Sequence, residues 1–155
     1  MEKLKIGASL PAFSTTDQNE KSITSQELIG KKLVIYFYPK DNTPGCTAQA
    51  CNIRDNYETL LANEIQILGV SADSLKSHQS FASKYELPFP LILDESKEVI
   101  NLFGVWGTKK FMGKVYDVIH RNTFLFNDEG KLISIIEKPN TKNHVEEILK
   151  EFGVS

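Results

Sequence analysis

The stretch KLVIYFYPKDNTPGC, residues 32–46, decides how the chain is read. Its first eight residues are a β-branched and aromatic run of the kind that forms a buried strand, and the PKDNTPG that follows is turn-prone. Beyond the turn, Cys46, Ala50, Ile53, Tyr57 and Leu60 recur at three- and four-residue spacings. That spacing predicts an amphipathic helix over about residues 44–62, with Thr43 as N-cap and Pro44 at the first helical position. Cys46 therefore falls in the first helical turn.

The same alternation continues outward. Residues 64–71 (EIQILGVS) read as a second buried strand, and residues 74–85 as a helix carrying Leu75, His78, Phe81, Ala82 and Tyr85 on one face. A short strand at 89–93 and a helix at 96–103, fading at Gly104, come next. Residues 105–120 fit no single pattern. Segments 123–127 and 132–136 flank DEGK, a hairpin with glycine where a positive backbone angle is needed, and residues 142–152 form a closing amphipathic helix. Parallel strands joined by helices, then an antiparallel pair and a helix, predict an α/β fold of thioredoxin-like arrangement, a central mixed sheet flanked by helices. No repeat, low-complexity tract or linker divides the chain, so residues 1–155 are expected to form one domain.

The composition is that of an ordinary globular protein, 41% hydrophobic and 25% charged, which argues against disorder and fibrous classes. A net charge of -2 gives no basic field for nucleic acid or an anionic membrane. The opening MEKLKIGASLPAF lacks an apolar core of signal-peptide length, and no stretch approaches the roughly 18 apolar residues of a spanning helix. A cytoplasmic location is expected. Two cysteines, Cys46 and Cys51, are too few for a disulfide scaffold and point to redox or catalytic chemistry. They lack the Cys-x-x-Cys spacing of a zinc ribbon or a thioredoxin-type exchanger, and no nearby His or Cys completes a tetrahedral set, so no metal is expected.

A free thiol titrates near pH ~8.5, and a helix N-terminus or a cation favours its ionised form. Cys46 occupies such a place, and Gly45 removes a side chain that would block a substrate's approach. The plainer alternative, a small buried hydrophobe at a helix start, stays open on these features. Cys51 lies five residues on, which turns an ideal helix by about 500° and leaves the two Cα atoms about 8.7 Å apart, beyond the roughly 7 Å that a disulfide spans without backbone movement. A bridge between them would require local unwinding; otherwise Cys51 is a packed helix residue.

The segment from Pro39 to Cys46 is similar to the Pro-x-x-x-Thr-x-x-Cys signature of the peroxiredoxins, and TAQAC, ending at Cys51, resembles the bacterioferritin-comigratory, or Q-type, branch. The downstream HRNTFLF, holding Arg121, resembles the family's arginine-bearing strand, and likeness runs from GASLPAF through FGVW and FMGKVYDVIHRNTFLF to the hairpin. The resemblance implies that Cys46 is the peroxidatic cysteine and Cys51 the resolving one. It also implies that Thr43 hydrogen-bonds the peroxide, Pro39 shields the sulfur from water, and Arg121 stabilises the thiolate and the developing charge. The implied activity is reduction of hydrogen peroxide and alkyl hydroperoxides through a sulfenic acid and an intramolecular disulfide, recycled by thioredoxin or a glutaredoxin-like dithiol, in a monomer with no metal or organic cofactor. Gln49 and Asn52 depart from the acidic residue and glycine common in the branch, which bears on pairing with Arg54 or another arginine and on helix opening.

Rival readings are a peroxide sensor or holdase and a thiol-disulfide reductase. A Cys46–His120 nucleophile–base pair is disfavoured because neighbouring strand residues, His120 and Arg121, face opposite sides. His78 and His144 are expected on helices as surface or packing residues. Trp106, Phe111, Met112 and Tyr116, interleaved with Lys109, Lys110 and Lys114, read either as an active-site mouth or reductant-docking surface, or as aromatics packed on the core.

Overall fold

Strand β3 (Lys32–Phe37) alternates its side chains between two apolar layers, and this alternation organises the computed structural model, which describes residues 3–154, with the side chain of Phe111 outside that description. Leu33, Ile35 and Phe37 enter one layer, and Val34 and Tyr36 the other. Parallel to β3 runs β4 (Ile65–Ser71), and parallel to β4 runs β5 (Leu91–Leu93). On the other side of β3, β8 (Thr123–Phe126) pairs antiparallel and β9 (Leu132–Ile136) closes the sheet in the order β5-β4-β3-β8-β9. This is the central mixed sheet that the sequence predicts.

One face of the sheet carries α2 (Pro44–Asp55), α3 (Tyr57–Ala62), α4 (Leu75–Lys84) and α6 (His144–Glu151), through Ala50, Ile53, Leu60, Phe81, Val145 and Ile148. The other carries α5 (Glu98–Leu102) and an N-terminal unit of β1 (Ser14–Thr16), β2 (Ser22–Thr24) and α1 (Ser25–Leu28). The sequence pattern predicts no such unit. Its signal is the pair Thr24 and Glu27: the Glu27 carboxylate accepts from the Thr24 N–H at 2.7 Å, a capping box.

Three elements differ from expectation. The helix expected over 44–62 breaks at Asn56, whose backbone leaves the helical region and whose Nδ2 donates to the Asn52 carbonyl at 2.8 Å, a side-chain bond that competes with the helical ladder. Residues 105–120 form a separate two-stranded ribbon, β6 (Trp106–Phe111) and β7 (Lys114–Ile119), turning through Met112 and Gly113, both at positive φ as a two-residue hairpin demands. His120, Arg121 and Asn122 lie in no strand: they bridge β7 and β8, held where the Asn122 side chain donates to the Arg121 and Glu137 carbonyls. The expectation that strand pleating sends His120 and Arg121 to opposite faces therefore does not apply. His120 sits instead against the backbone of Gly107, where a Cβ would approach its Nε2 to 2.7 Å.

Neither His78 nor His144 is on the surface; both are fully buried and hydrogen-bonded. Of the aromatic stretch, Trp106 is half-buried against the core with Lys97 over its ring, while Met112 and Tyr116 are exposed on the ribbon. Among the described residues no helix is long and apolar enough to cross a membrane.

Candidate active site

Helix α2 starts after the turn of residues 38–43 that follows β3, at Pro44, whose fixed φ suits a first helical position. The first i→i−4 bond runs from the Thr47 N–H to the Thr43 carbonyl at 2.8 Å, so the N–H groups of Gly45 and Cys46 belong to the turn whose donors have no intrahelical acceptor. Thr43 is the N-cap by backbone shape, yet its side chain does not cap: its hydroxyl donates to the Lys40 carbonyl at 2.9 Å. With its hydrogen so engaged, the oxygen has lone pairs left to accept from a substrate O–H.

Cys46 is 1% exposed and packs in the α2 layer with Tyr36 and Ala50. Such burial would suit an inert hydrophobe, but a guanidinium lies against the sulfur. Arg121 Nη2 donates to Cys46 Sγ at 3.3 Å, and Arg121 Nη1 donates to Gln49 Oε1 at 3.0 Å. The two acceptors sit three residues apart on one helix face, so a single planar fork grips both. Gly45 makes this possible: a Cβ there would stand 3.2 Å from Arg121 Nη2. Gln49 is wholly buried and its Nε2 has no hydrogen-bond partner, so its oxygen is turned towards the arginine. The arginine paired with Gln49 is therefore Arg121; Arg54 instead donates to Asp55 and to the Tyr85 carbonyl, each at 2.9 Å.

Pro39 is exposed and, with His120, Arg121, Lys109 and Pro139, lines a cleft of about 530 Å³. Cys51 is partly buried on the same unbroken helix as Cys46, and both are free thiols. At ideal helix rise and radius their Cα atoms lie about 8.7 Å apart, too far for a bridge while α2 is wound.

The turn that carries Thr43 is anchored by a buried polar cluster that the sequence did not reveal. Asp41 accepts from the Tyr38 hydroxyl at 2.6 Å and the Ser77 hydroxyl at 2.9 Å, and its N–H donates to Asp73 at 2.8 Å. His78 Nδ1 meets Asp41 Oδ2 at 2.6 Å, and His78 Nε2 lies 2.9 Å from the Ile92 carbonyl. A carbonyl only accepts, so Nε2 carries a hydrogen and the Nδ1–Asp41 contact shares one further proton. Ligand atoms of Asp41, Asp73 and His78 lie within 4.8 Å of one another, and hydrogen bonds engage them as a polar clamp.

Burial disfavours an imidazolium at His78, but the Asp41 hydrogen bond and charge, the Ile92 carbonyl and Asp73 outweigh it and raise its pKa. A raised folded value stabilises the fold fully below the unfolded value of about 6.5 and loses that contribution as pH climbs through the folded value. His144 acts in the opposite sense: burial lowers its pKa despite Glu147, so it destabilises as pH falls. In urea unfolding followed across pH, the wild type is expected to lose stability on the alkaline side of the histidine range, and His78→Gln to lack that decline. An equal decline in the variant contradicts the assignment.

The pattern of the AhpC/TSA family matches residues 6–135. A bcp peroxiredoxin of Haemophilus influenzae is 44% identical over 149 residues, 96% of either chain, and peroxiredoxin Bcp of Escherichia coli K12 is 42% identical over the same length and shares. The bacterioferritin comigratory protein of Xanthomonas campestris, solved in trapped intermediate and ligand complexes that bear on its alkyl peroxide reduction, superposes with a TM-score of 0.86 at 31% identity, covering 94% of this chain and 98% of that one. Relatives this similar over nearly the whole length extend the likeness first seen around Cys46, and the chain belongs to the AhpC/TSA family, in its Bcp or Q-type branch of peroxiredoxins, which are thiol peroxidases.

Proposed function

We propose that Cys46 is the sulfur that meets the hydroperoxide and that Cys51 resolves it. The carrying observation is the Arg121 guanidinium hydrogen-bonded to Cys46 Sγ at the start of α2. An arginine stays protonated at working pH, so it supports a thiolate in the resting site and the negative charge that grows on the departing oxygen. The Cys46 thiolate attacks the terminal oxygen of the hydroperoxide; the S–O bond forms as the O–O bond breaks. The departing alkoxide or hydroxide takes a proton from solvent, and Cys46 is left as a sulfenic acid. Thr43 Oγ1 accepts from the peroxide O–H, the N–H groups of the first turn of α2 face the oxygens, and Pro39, which lines a cleft together with Arg121, shields the sulfur from water.

Closure follows when the later part of α2 unwinds. The Cys51 thiolate attacks the sulfenic sulfur, the S–S bond forms, and hydroxide leaves and is protonated to water. A dithiol of the thioredoxin or glutaredoxin type then returns two electrons and restores both thiols. The substrates are hydrogen peroxide and alkyl hydroperoxides, and the reading places the protein as a single-domain monomer in the cytoplasm.

The test is a mass map of reduced protein before and after one equivalent of hydrogen peroxide, followed by excess peroxide with dithiothreitol. A peptide pair joined through Cys46 and Cys51, and consumption of many peroxide equivalents, are expected. Consumption that stops at one equivalent in the presence of reductant points to a sensor and overturns the catalytic cycle; Cys46 remaining a free thiol overturns its role.

A further inference from the structure

Asn52, next to Cys51, spends its side chain entirely outside its own helix. Its Nδ2 donates to the Lys142 carbonyl at 2.9 Å, and its Oδ1 accepts from the Val145 N–H at 2.9 Å. Val145 lies in the first turn of α6, where N–H groups lack intrahelical acceptors, and the local N-cap, Asn143, makes no side-chain cap bond. Asn52 therefore caps α6 from another helix. The start of α6 is itself fixed to the sheet: His144 Nε2 is bonded to Thr123 Oγ1 of β8 at 2.9 Å, and Val145 and Ile148 are buried in the core layer. Through Asn52, the turn of α2 that carries Cys51 is tied to a helix start that is itself anchored to the sheet.

That tie opposes the movement that the proposed cycle requires. While α2 is wound, the Cα atoms of Cys51 and Cys46 stand about 8.7 Å apart, so the residues around Cys51 must leave the helix before the sulfurs meet. Residue 52 moves with residue 51, and both bonds to the α6 region break as it does. We infer that Asn52 is a positioning residue that holds Cys51 back and sets the lifetime of the Cys46 sulfenic acid; this rests on Cys51 being the resolving thiol. A long-lived sulfenic acid meets a second fate. Another hydroperoxide adds an oxygen to the sulfur, giving the sulfinic acid and releasing water or an alcohol, and a dithiol does not reverse that state. Asn52 thus divides oxidised Cys46 between recyclable disulfide and sulfinic acid, and high peroxide inactivates the enzyme in proportion to the strength of the tie.

Asn52→Ala separates the tie from simple helix propensity, because the two act in opposite directions. Alanine is the better helix former and by that route slows unwinding, whereas loss of both hydrogen bonds speeds it. Reduced protein is mixed with hydrogen peroxide, quenched with acid over time, and its thiol, sulfenic, disulfide and sulfinic forms are resolved by mass, with Cys46 oxidation in the same traces as internal reference. Closure is expected to be about tenfold faster in Asn52→Ala, the loss of two ordinary hydrogen bonds less the helix propensity that alanine adds, and the peroxide concentration giving half sulfinic acid to rise by a similar factor. Asn52→Asp keeps the acceptor for Val145 but loses the donor to Lys142, and is expected to fall between. Closure in Asn52→Ala at or below the wild-type rate overturns the inference. If Asn52→Ala does not fold, Asn52→Asp decides in the same way, faster closure than wild type supporting the inference and equal or slower closure overturning it. A wild type that never joins Cys46 to Cys51 overturns the underlying cycle and this inference together, a result distinct from unchanged closure kinetics.

Discussion

With Cys46 replaced by serine, hydrogen peroxide consumption in the presence of dithiothreitol is expected to drop to the buffer background, while the fold survives. Serine fills nearly the same buried space, so the packing around Tyr36 and Ala50 is kept. A hydroxyl beside Arg121 can still accept its hydrogen bond, but it is not ionised near neutrality and lacks the polarisable lone pair that attacks a peroxide oxygen. Cys51 cannot substitute, because about 500° minus one full turn, or about 140°, separates it from Cys46 around the helix, away from Arg121 and the first-turn N–H groups. The check is a peroxide assay beside a thermal melt. Activity at the wild-type rate in a folded Cys46→Ser protein contradicts the assignment of the sulfur.

The second large effect is expected at Arg121. In Arg121→Met the side chain keeps much of its length but loses its charge and donors, so the sulfur faces an apolar group. Removing a preorganised donor at a site of developing negative charge lowers rates by about 10²–10³-fold, and a loss of that size is expected in the second-order rate of Cys46 oxidation. Arg121→Lys should recover part of it, since an ammonium supplies charge but cannot bridge Cys46 and Gln49 at once. Arg121→Met also leaves Gln49 Oε1 without its donor beside an Nε2 that already has no partner, at a cost of about 1–3 kcal/mol to stability. Denaturant unfolding separates this from the rate effect, because Arg121→Lys should be stable and still slow. A rate within a few-fold of wild type in folded Arg121→Met removes the guanidinium from the mechanism.

The sheet and the placement of Cys46 were legible because their signals are local. An uninterrupted apolar strand, a Pro-containing turn and a helical apolar stripe each occupy contiguous residues, and each survives in β3 and α2. The β6–β7 ribbon was not legible for the opposite reason: most of β7 is exposed, so neither face imposes the alternation of apolar and polar residues that marks a strand. The break at Asn56 depends on a side chain reaching back to the Asn52 carbonyl, a choice that the apolar stripe through Tyr57 and Leu60 conceals. At the site, Gln49 departs from the acidic residue common in the branch, but its tie to Arg121 joins residues 72 apart in sequence and appears only once β8 is laid beside β3. The Asp41–His78 contact, 37 residues apart, was hidden in the same way.

The interruption at Asn56 also fixes how far a melted stretch can travel. Helical melting propagates only where each turn leans on the next, and α3 begins its own ladder with the Leu60 N–H donating to the Asn56 carbonyl, while Leu60 is fully buried. The joint acts as a firebreak: in the proposed cycle, unwinding around Cys51 stops there, and α3 stays seated as a floor against which α2 can rewind.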